Sequence, residues 1–234
     1  FEEAGKRGAT SLMATLLARD TAKRTAAQVA AAIESVGGSL SPVFGNNTFG
    51  LSLEVLPSDL SLALDLLAEA TLKPKFSTAS FSVERDAQVA DLQQDADDIV
   101  TIDRKRLRRQ FFGDHPLAID AHGTVEDLQN LKAKDVASLH RQLMVAPNVV
   151  LSVSGDFNPA TLAPKLRQFL KRFKAAKFVV PAPSFAGPVE IGDFVEQQPR
   201  QQAVVFQAYR GPGIHSDDFH VAEVADELFS GMSS

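Results

Sequence analysis

Residues 20–39 read Asp-Thr-Ala-Lys-Arg-Thr-Ala-Ala-Gln-Val-Ala-Ala-Ala-Ile-Glu-Ser-Val-Gly-Gly-Ser. Thr25 is a favourable N-cap, because its hydroxyl can accept a hydrogen bond from the first helical turn. Apolar side chains then recur at helical spacing, at Val29, Ala30, Ile33 and Val36. Gly37-Gly38 is a typical helix end. The stretch therefore predicts a polar break followed by an amphipathic helix with one buried face.

Helical and extended patterns alternate on both sides of this stretch. The residues predict helices over 8–19, 57–73, 124–131, 135–144, 162–173 and 219–229. They predict one long charged helix over 80–112, with Asp95–Asp98 as the place for a bend. Strands are predicted at 49–55, 149–153 and 203–208. Because helices separate these strands, the order predicts an α+β protein whose strands pair non-locally.

The composition is typical of a globular protein with one large domain or two small ones. The 234 residues are 44% hydrophobic and 23% charged, with a mean hydropathy of −0.05 and a net charge of −5. The acidic balance argues against non-specific nucleic-acid binding. Charged residues interrupt the apolar stretches, as Asp65 does within Leu64–Leu67, so none approaches the ~20 residues of a membrane span. The absence of cysteine excludes disulfides, thiolate catalysis and cysteine-based zinc sites.

Two polar clusters can be explained without a ligand. His215, Asp217, Asp218 and His220 lie close in sequence, but one short segment rarely supplies convergent metal ligands, so a solvated loop and helix cap is favoured over a cation site. The basic run 104–109 follows a series of aspartates, which favours ion pairing along a solvated helix over an anionic partner. No phosphate-binding glycine loop and no Gly-x-Ser-x-Gly motif is present.

The stretch 20–39 resembles a conserved segment of the M16 zinc metallopeptidases, the pitrilysin, insulinase and mitochondrial processing peptidase family. There a helix is followed by Gly-Thr-x-x-Arg-Ser and by a second helix that ends Leu-Gly-Gly. Further segments resemble the family in the same order: 55–67, 76–86, 112–124, 146–156 and 228–234. The resemblance covers nearly the whole chain.

The family's catalytic motif is His-x-x-Glu-His, in which two histidines bind zinc and the glutamate activates water. Alignment on residues 21–25 places this motif on residues 11–15, where Ser11, Ala14 and Thr15 replace its three functional residues. Asp91 falls at the position of the third ligand, and Glu84 at the second acidic position. The resemblance therefore implies no catalytic residue and no bound zinc in this chain.

The resemblance also implies a fold and a domain organisation. We expect an M16-type (LuxS/MPP-like) α/β roll, a mostly antiparallel sheet with helices packed on one face. Residues 1–178 correspond to one repeat without its first strands, 179–192 to a linker, and 193–234 to the truncated beginning of a second repeat. Both ends look cut, so we expect a piece of a longer protein.

The resulting hypothesis is a non-catalytic half of an M16 endopeptidase that closes a clamshell chamber. An active half, fused or separate, carries the His-x-x-Glu-His motif and the zinc, and both halves bind peptide substrate. The alternative is a purely structural or assembly protein, as some M16-like subunits of respiratory complexes are. New chemistry on Glu84 and Asp91 is disfavoured. Resemblance to cysteine-free bacterial members favours the periplasm, with cytoplasm or mitochondrion as alternatives; peptide specificity and substrate-binding residues stay unassigned.

Overall fold

A computed structural model describes residues 2–180, 185, 187–188, 191–197, 199, 201 and 203–230. Its helices are α1 (Ala9–Leu17), α2 (Ala26–Glu34), α3 (Leu60–Leu72), α4 (Thr78–Asp95), α5 (Ile99–Phe112), α6 (Val125–Asn130), α7 (Ala133–Leu143), α8 (Pro159–Leu170) and α9 (Phe219–Ser230). Its strands are β1 (Ser39–Phe44) and β2 (Phe49–Glu54). About 51% of the described residues are in α- or 3-10-helices beside this antiparallel pair, which confirms the α+β class.

The chain forms two compact units. The first consists of Phe1–Asp98 and Ile119–Ala182, and the second of Ile99–Ala118 and Pro183–Ser234. Much of the predicted linker 179–192, and the end of the segment 228–234, lie outside the described residues. The division at that linker stays a prediction. None of the helices in the described ranges is both long and apolar enough to cross a bilayer.

Helix α1 is the centre of the first unit. Its four large side chains are at most 1% exposed: Leu12, Met13, Leu16 and Leu17. The hairpin β1–β2, α4 and α7 all pack against it. Burial of such a side chain contributes roughly 1.5–3 kcal/mol, so this one helix supplies a large share of the core. The core continues through Phe81 of α4 and Val136 of α7.

Helix α2 begins and ends where the sequence predicts. The Thr25 hydroxyl accepts from the Gln28 N–H, and the Gln28 side chain accepts from the Thr25 N–H, a complete capping box. Val29 and Ile33 are buried, whereas Ala30, predicted on the same face, is exposed. The helix ends in the turn that precedes β1.

The two strands form a hairpin. They are antiparallel, from Ser39 opposite Glu54 to Phe44 opposite Phe49, and the turn between them contains Asn46-Asn47. The prediction of non-local strand pairing is wrong for this pair. Pro42 lowers the strand signal of β1, because proline cannot donate to a ladder, and so conceals the local partner of β2.

The other two predicted strands are not paired in the described part of the chain. Residues 149–153 alternate between partly buried and exposed side chains, as a strand against a core does. They lie in no ladder there, and Leu151 packs beside Phe169 and Phe173. Residues 203–208 are likewise unpaired. An alternating pattern indicates an extended backbone with one covered face, and strand formation needs a hydrogen-bonding neighbour as well.

The long helix predicted over 80–112 is two helices, α4 and α5, separated at residues 96–98. The break lies within the predicted position of the bend. Aspartate favours helix termini over helix interiors because its carboxylate competes for backbone N–H groups. In the second unit, α5 carries Phe111 and Phe112, whose rings contact Phe185.

Asp20 joins the first turns of α2 and α4. One carboxylate oxygen accepts from the Ala26 N–H at 2.8 Å. The other accepts from the Ser77 and Ser80 hydroxyls at 2.7 and 2.6 Å. Burial by itself raises the pKa of Asp20. The three hydrogen bonds and the charge of Lys75 outweigh burial and hold that pKa below its ordinary value.

Glu69 supports the same region from α3. Its side chain is 6% exposed and pairs with Arg24 at 2.5 Å and with Lys23 at 3.3 Å. Thr21 donates to it at 3.3 Å. Burial raises the pKa of Glu69, but the two cations lower it further and the net shift is downward. The segment 20–25 is therefore fixed to α4 through its own Asp20 and to α3 through Glu69.

Gly123 marks a place where two backbone segments touch. Its φ is +76°, and a Cβ there would lie 2.2 Å from the Arg7 carbonyl oxygen. We expect Gly123→Ala to lower the free energy of unfolding by at least about 2 kcal/mol, from backbone strain and overlap together. Gly50→Ala is the control, because a Cβ at Gly50 meets nothing within 4 Å. Urea unfolding measures both; equal stability of the two variants would contradict the close approach.

Asp20→Asn tests the hydrogen bonds by which the Asp20 carboxylate joins the first turns of α2 and α4. The carboxylate stabilises the fold above its unfolded pKa of about 3.9, and this contribution is lost as pH falls through the lower folded pKa. We expect the variant to be less stable by about 1–2 kcal/mol at pH 7 and the gap to close at acid pH. Asp91→Asn, on an exposed position, is the control. A gap that is constant with pH in urea unfolding would argue against an ionised cap.

Candidate functional site

The segment aligned with the catalytic motif lies on α1 and faces α4. Ser11 is 1% exposed, and its hydroxyl donates to the Gly8 carbonyl at 2.9 Å. The same oxygen accepts from Gln88 Nε2 at 2.9 Å. Gln88 is 7% exposed. Ser11, the position that the resemblance aligns with the first histidine of the motif, is thus joined to α4 through a contact between two neutral polar groups.

Gln88 has more acceptors than protons at this point. Its amide nitrogen lies 2.9 Å from Ser11 Oγ, 2.9 Å from the His122 carbonyl and 3.2 Å from the Gly8 carbonyl. An amide nitrogen carries two hydrogens, so at least one of them is shared. The polar groups therefore satisfy one another, and Ser11 Oγ is used both as donor and as acceptor.

Glycine at position 8 is required by this arrangement. Its φ is +86°, and a Cβ would lie 2.3 Å from the His122 carbonyl oxygen and 3.0 Å from Gln88 Nε2. The backbone at the start of α1 therefore lies so close to the backbone before α6 that no side chain fits between the two segments at position 8. Gln88 fills the remaining gap between them.

The other two motif positions offer no ligand. Ala14, the position that the resemblance aligns with the family's general base, is fully buried and presents only a methyl group. The Thr15 hydroxyl donates to the Ser11 carbonyl at 3.2 Å, one turn back along α1. Ala14 therefore contributes to the packing of α1, and Thr15 forms a hydrogen bond within that helix.

Of the two acidic positions on α4, one forms an ion pair and the other is exposed. Glu84 accepts from Arg19 Nε at 2.6 Å and from Arg19 Nη2 at 3.3 Å, and its side chain is 13% exposed. Asp91 is exposed. Sequence reasoning missed Gln88, which lies between them on the same helix face. The signal was its spacing of seven residues from Phe81, the other buried residue of α4.

These residues do not fit a zinc ion. Zinc takes imidazole, thiolate or carboxylate ligands, whereas Ser11, Thr15 and Gln88 offer two hydroxyls and an amide that already donate within the protein. Glu84, the nearby carboxylate, is bidentate on Arg19. No group of three or more His, Asp or Glu within the described residues is placed to hold a metal ion.

The remaining candidates have ordinary surface roles. His220 contacts Glu223 at 2.9 Å, three residues later on α9, and is 87% exposed. In the basic run of α5, Arg106 lies 3.4 Å from Asp103 and also pairs with Glu196. This agrees with pairing along a charged helix.

Comparison with known families accounts for nearly the whole chain. Residues 1–124, more than half of it, match the family model of insulinase (peptidase family M16). This chain belongs to the M16 peptidase family. Residues 130–234 match the model of the peptidase M16 inactive domain. The resemblance seen in the sequence is therefore confirmed.

Relatives and solved structures agree with this assignment. The chain is 27% identical over 209 residues to an uncharacterized zinc protease of Mycobacterium leprae, covering 88% of this chain and 47% of that protein. It is 25% identical to a non-peptidase homolog of Helicobacter pylori, with coverage of 74% and 39%. A solved peptidase M16 inactive domain from Pseudomonas fluorescens has the same fold, with TM-score 0.74, 19% identity and coverage of 80% and 46%. This M16 chain thus spans about half the length of the relatives it matches.

Gln88→Glu tests whether the buried site between α1 and α4 requires an uncharged hydrogen-bond donor. A carboxylate there faces the Gly8 and His122 carbonyls, so burial and repulsion raise its pKa above the unfolded value of about 4.3. We expect a loss of about 3 kcal/mol at neutral pH and a smaller loss near about pH 3, where the group is protonated in both states. Gln93→Glu, exposed on the same helix, is the control. Urea unfolding at several pH values measures it; a wild-type stability at pH 7 would contradict the contacts of Gln88.

Proposed function

We propose that this chain is part of the non-catalytic half of an M16 endopeptidase, which closes a clamshell chamber and helps to bind peptide for an active half. The active half, fused or separate, supplies the His-x-x-Glu-His motif and the zinc. Family membership and fold support a non-catalytic M16-like protein. The observation that carries the proposal is the closed set of hydrogen bonds around Ser11 and Gln88.

Hydrolysis by this family needs a metal-bound water and a carboxylate base, and α1 presents a methyl group at Ala14 in place of that base. A fold retained without its metal ligands keeps its surface, so the role that is left is contact with a partner or with substrate. The names of the Helicobacter homolog and of the Pseudomonas domain are consistent with the lack of catalysis.

A second candidate is a structural or assembly protein without a part in proteolysis. The same replacement of the ligands at Ser11, Ala14 and Thr15 supports it equally. A His-x-x-Glu-His unit in the same polypeptide, or encoded by a neighbouring gene, would favour the chamber over the scaffold. The compartment we propose is the bacterial periplasm, which rests on the resemblance and on the absence of cysteine.

Zinc titration by calorimetry near neutral pH tests the pseudoenzyme. We expect no tight binding, because the aligned positions offer hydroxyls and an amide in place of imidazoles and carboxylates. One tight zinc per chain would overturn the proposal for this half. In that case His215→Ala with His220→Ala would show whether the metal lies at the start of α9 and the turn that precedes it.

Peptide hydrolysis by the whole protein, with and without this half, tests its place in proteolysis. A set of internally quenched fluorescent peptides serves as substrate, and the active half alone is compared with the assembled pair. We expect activity to fall strongly when this half is removed, because the chamber is then open. Unchanged hydrolysis by the active half alone would contradict the chamber and favour the scaffold.

A further inference from the structure

Three helices of the first unit end around one pocket. The pocket has a volume of about 350 Å³ and is lined by the last turns of α3 and α7 and by the residues that follow α8. Four of its lining side chains are cations: Lys73, Arg141, Arg172 and Lys174. The lining contains no aspartate or glutamate. This arrangement is unexpected in a chain with a net charge of −5.

The four cations have no counter-ion of their own. Within the described residues, none of Lys73, Arg141, Arg172 or Lys174 forms a salt bridge, although other basic residues such as Arg19 and Arg24 do. All four are exposed at the pocket. Placing like charges side by side raises the free energy of the fold unless something compensates them.

Helix dipoles compensate the cations only in part. Each helix C-terminus carries about −0.5 of an elementary charge, so the three helix ends together supply about −1.5. The four side chains supply four positive charges. A surplus of roughly two and a half positive charges therefore remains at the pocket after the dipoles are counted.

His140 fixes the width of the pocket. Its Nε2 lies 2.9 Å from the Thr71 carbonyl, which ties α7 to the last turn of α3. The ring also packs edge-on against Phe76. Burial and the neighbouring Arg141 lower the pKa of His140, so the ring is neutral at pH 7 and its N–H is available to that carbonyl. The cations thus surround a pocket in which α3 and α7 are joined by a direct hydrogen bond.

We propose that this pocket binds a phosphate-bearing anion with at least two negative charges. Arginine forks match phosphate oxygens bidentately, and lysine ammonium groups add point charges, so Arg141 and Arg172 with Lys73 and Lys174 form a suitable set of donors. The volume lies at the lower end of the ~300–1,000 Å³ of small-molecule sites, which favours a small ligand or a single headgroup. The surplus charge favours a ligand with more than one negative charge.

Calorimetric titration of the whole protein with sodium pyrophosphate, at physiological ionic strength, is the primary test. The pocket variant carries Arg141→Gln with Lys174→Gln. The control carries Lys165→Gln with Arg167→Gln, an equal loss of charge on α8 outside the pocket lining. We expect the Kd for pyrophosphate to rise at least about tenfold in the pocket variant, since two charge-assisted contacts are lost, and to be nearly unchanged in the control. Equal thermal unfolding of all three proteins establishes that the fold is intact.

A second arm distinguishes a free anion from a lipid headgroup. Vesicles of phosphatidylglycerol and phosphatidylcholine are compared with vesicles of phosphatidylcholine alone in a flotation assay. Flotation that the pocket variant loses and the control keeps assigns the site to a lipid phosphate, and pyrophosphate binding without flotation assigns it to a soluble ligand. Binding of both probes that is equal in the pocket variant and the wild type, or binding of neither probe to the wild type, overturns the proposal.

Discussion

The buried amide of Gln88 is the contact on which the first unit depends. It reaches two backbone carbonyls and one hydroxyl that belong to the start of α1 and to the segment before α6. Two glycines, Gly8 and Gly123, let these segments come close enough for a single amide to bridge them. An unsatisfied carbonyl buried here costs about 1–3 kcal/mol, so α4 is bound to α1 by polar satisfaction as well as by apolar contact.

Within this unit, apolar packing positions the helices and the hairpin, and charged side chains fix the connection between α1 and α2. The apolar side chains of α1 place the hairpin, α4 and α7 around one axis. Asp20 and Glu69 then fix the segment between α1 and α2, each with its pKa held down by the groups that it binds. Apolar burial does not select one orientation among several, whereas hydrogen bonds to a carboxylate do. The direction of the chain after α1 is therefore set by these carboxylates.

The sequence predicted much of the helical structure and less of the sheet. The Thr25 cap and the paired glycines define α2 because capping is local chemistry, which a short stretch contains in full. Strand pairing depends on a partner elsewhere, and Pro42 concealed the nearest one. The motif positions on α1 followed from alignment with the family. Gln88 did not, since a polar side chain in a charged helix is ordinarily on the surface, and only the three acceptors around it explain its burial.

The hydrogen-bonded contact between Ser11 of α1 and Gln88 of α4 has an evolutionary consequence. A metal site on α1 and α4 needs several new residues together, and each one alone is unfavourable. An imidazole in place of Ser11 enters a space that is 1% exposed, and a carboxylate in place of Ala14 enters a fully buried one. Any single step back toward catalysis lowers stability before a complete ligand set exists to bind a metal and restore it. In the proposed pseudoenzyme, a return to catalysis is therefore blocked for single substitutions.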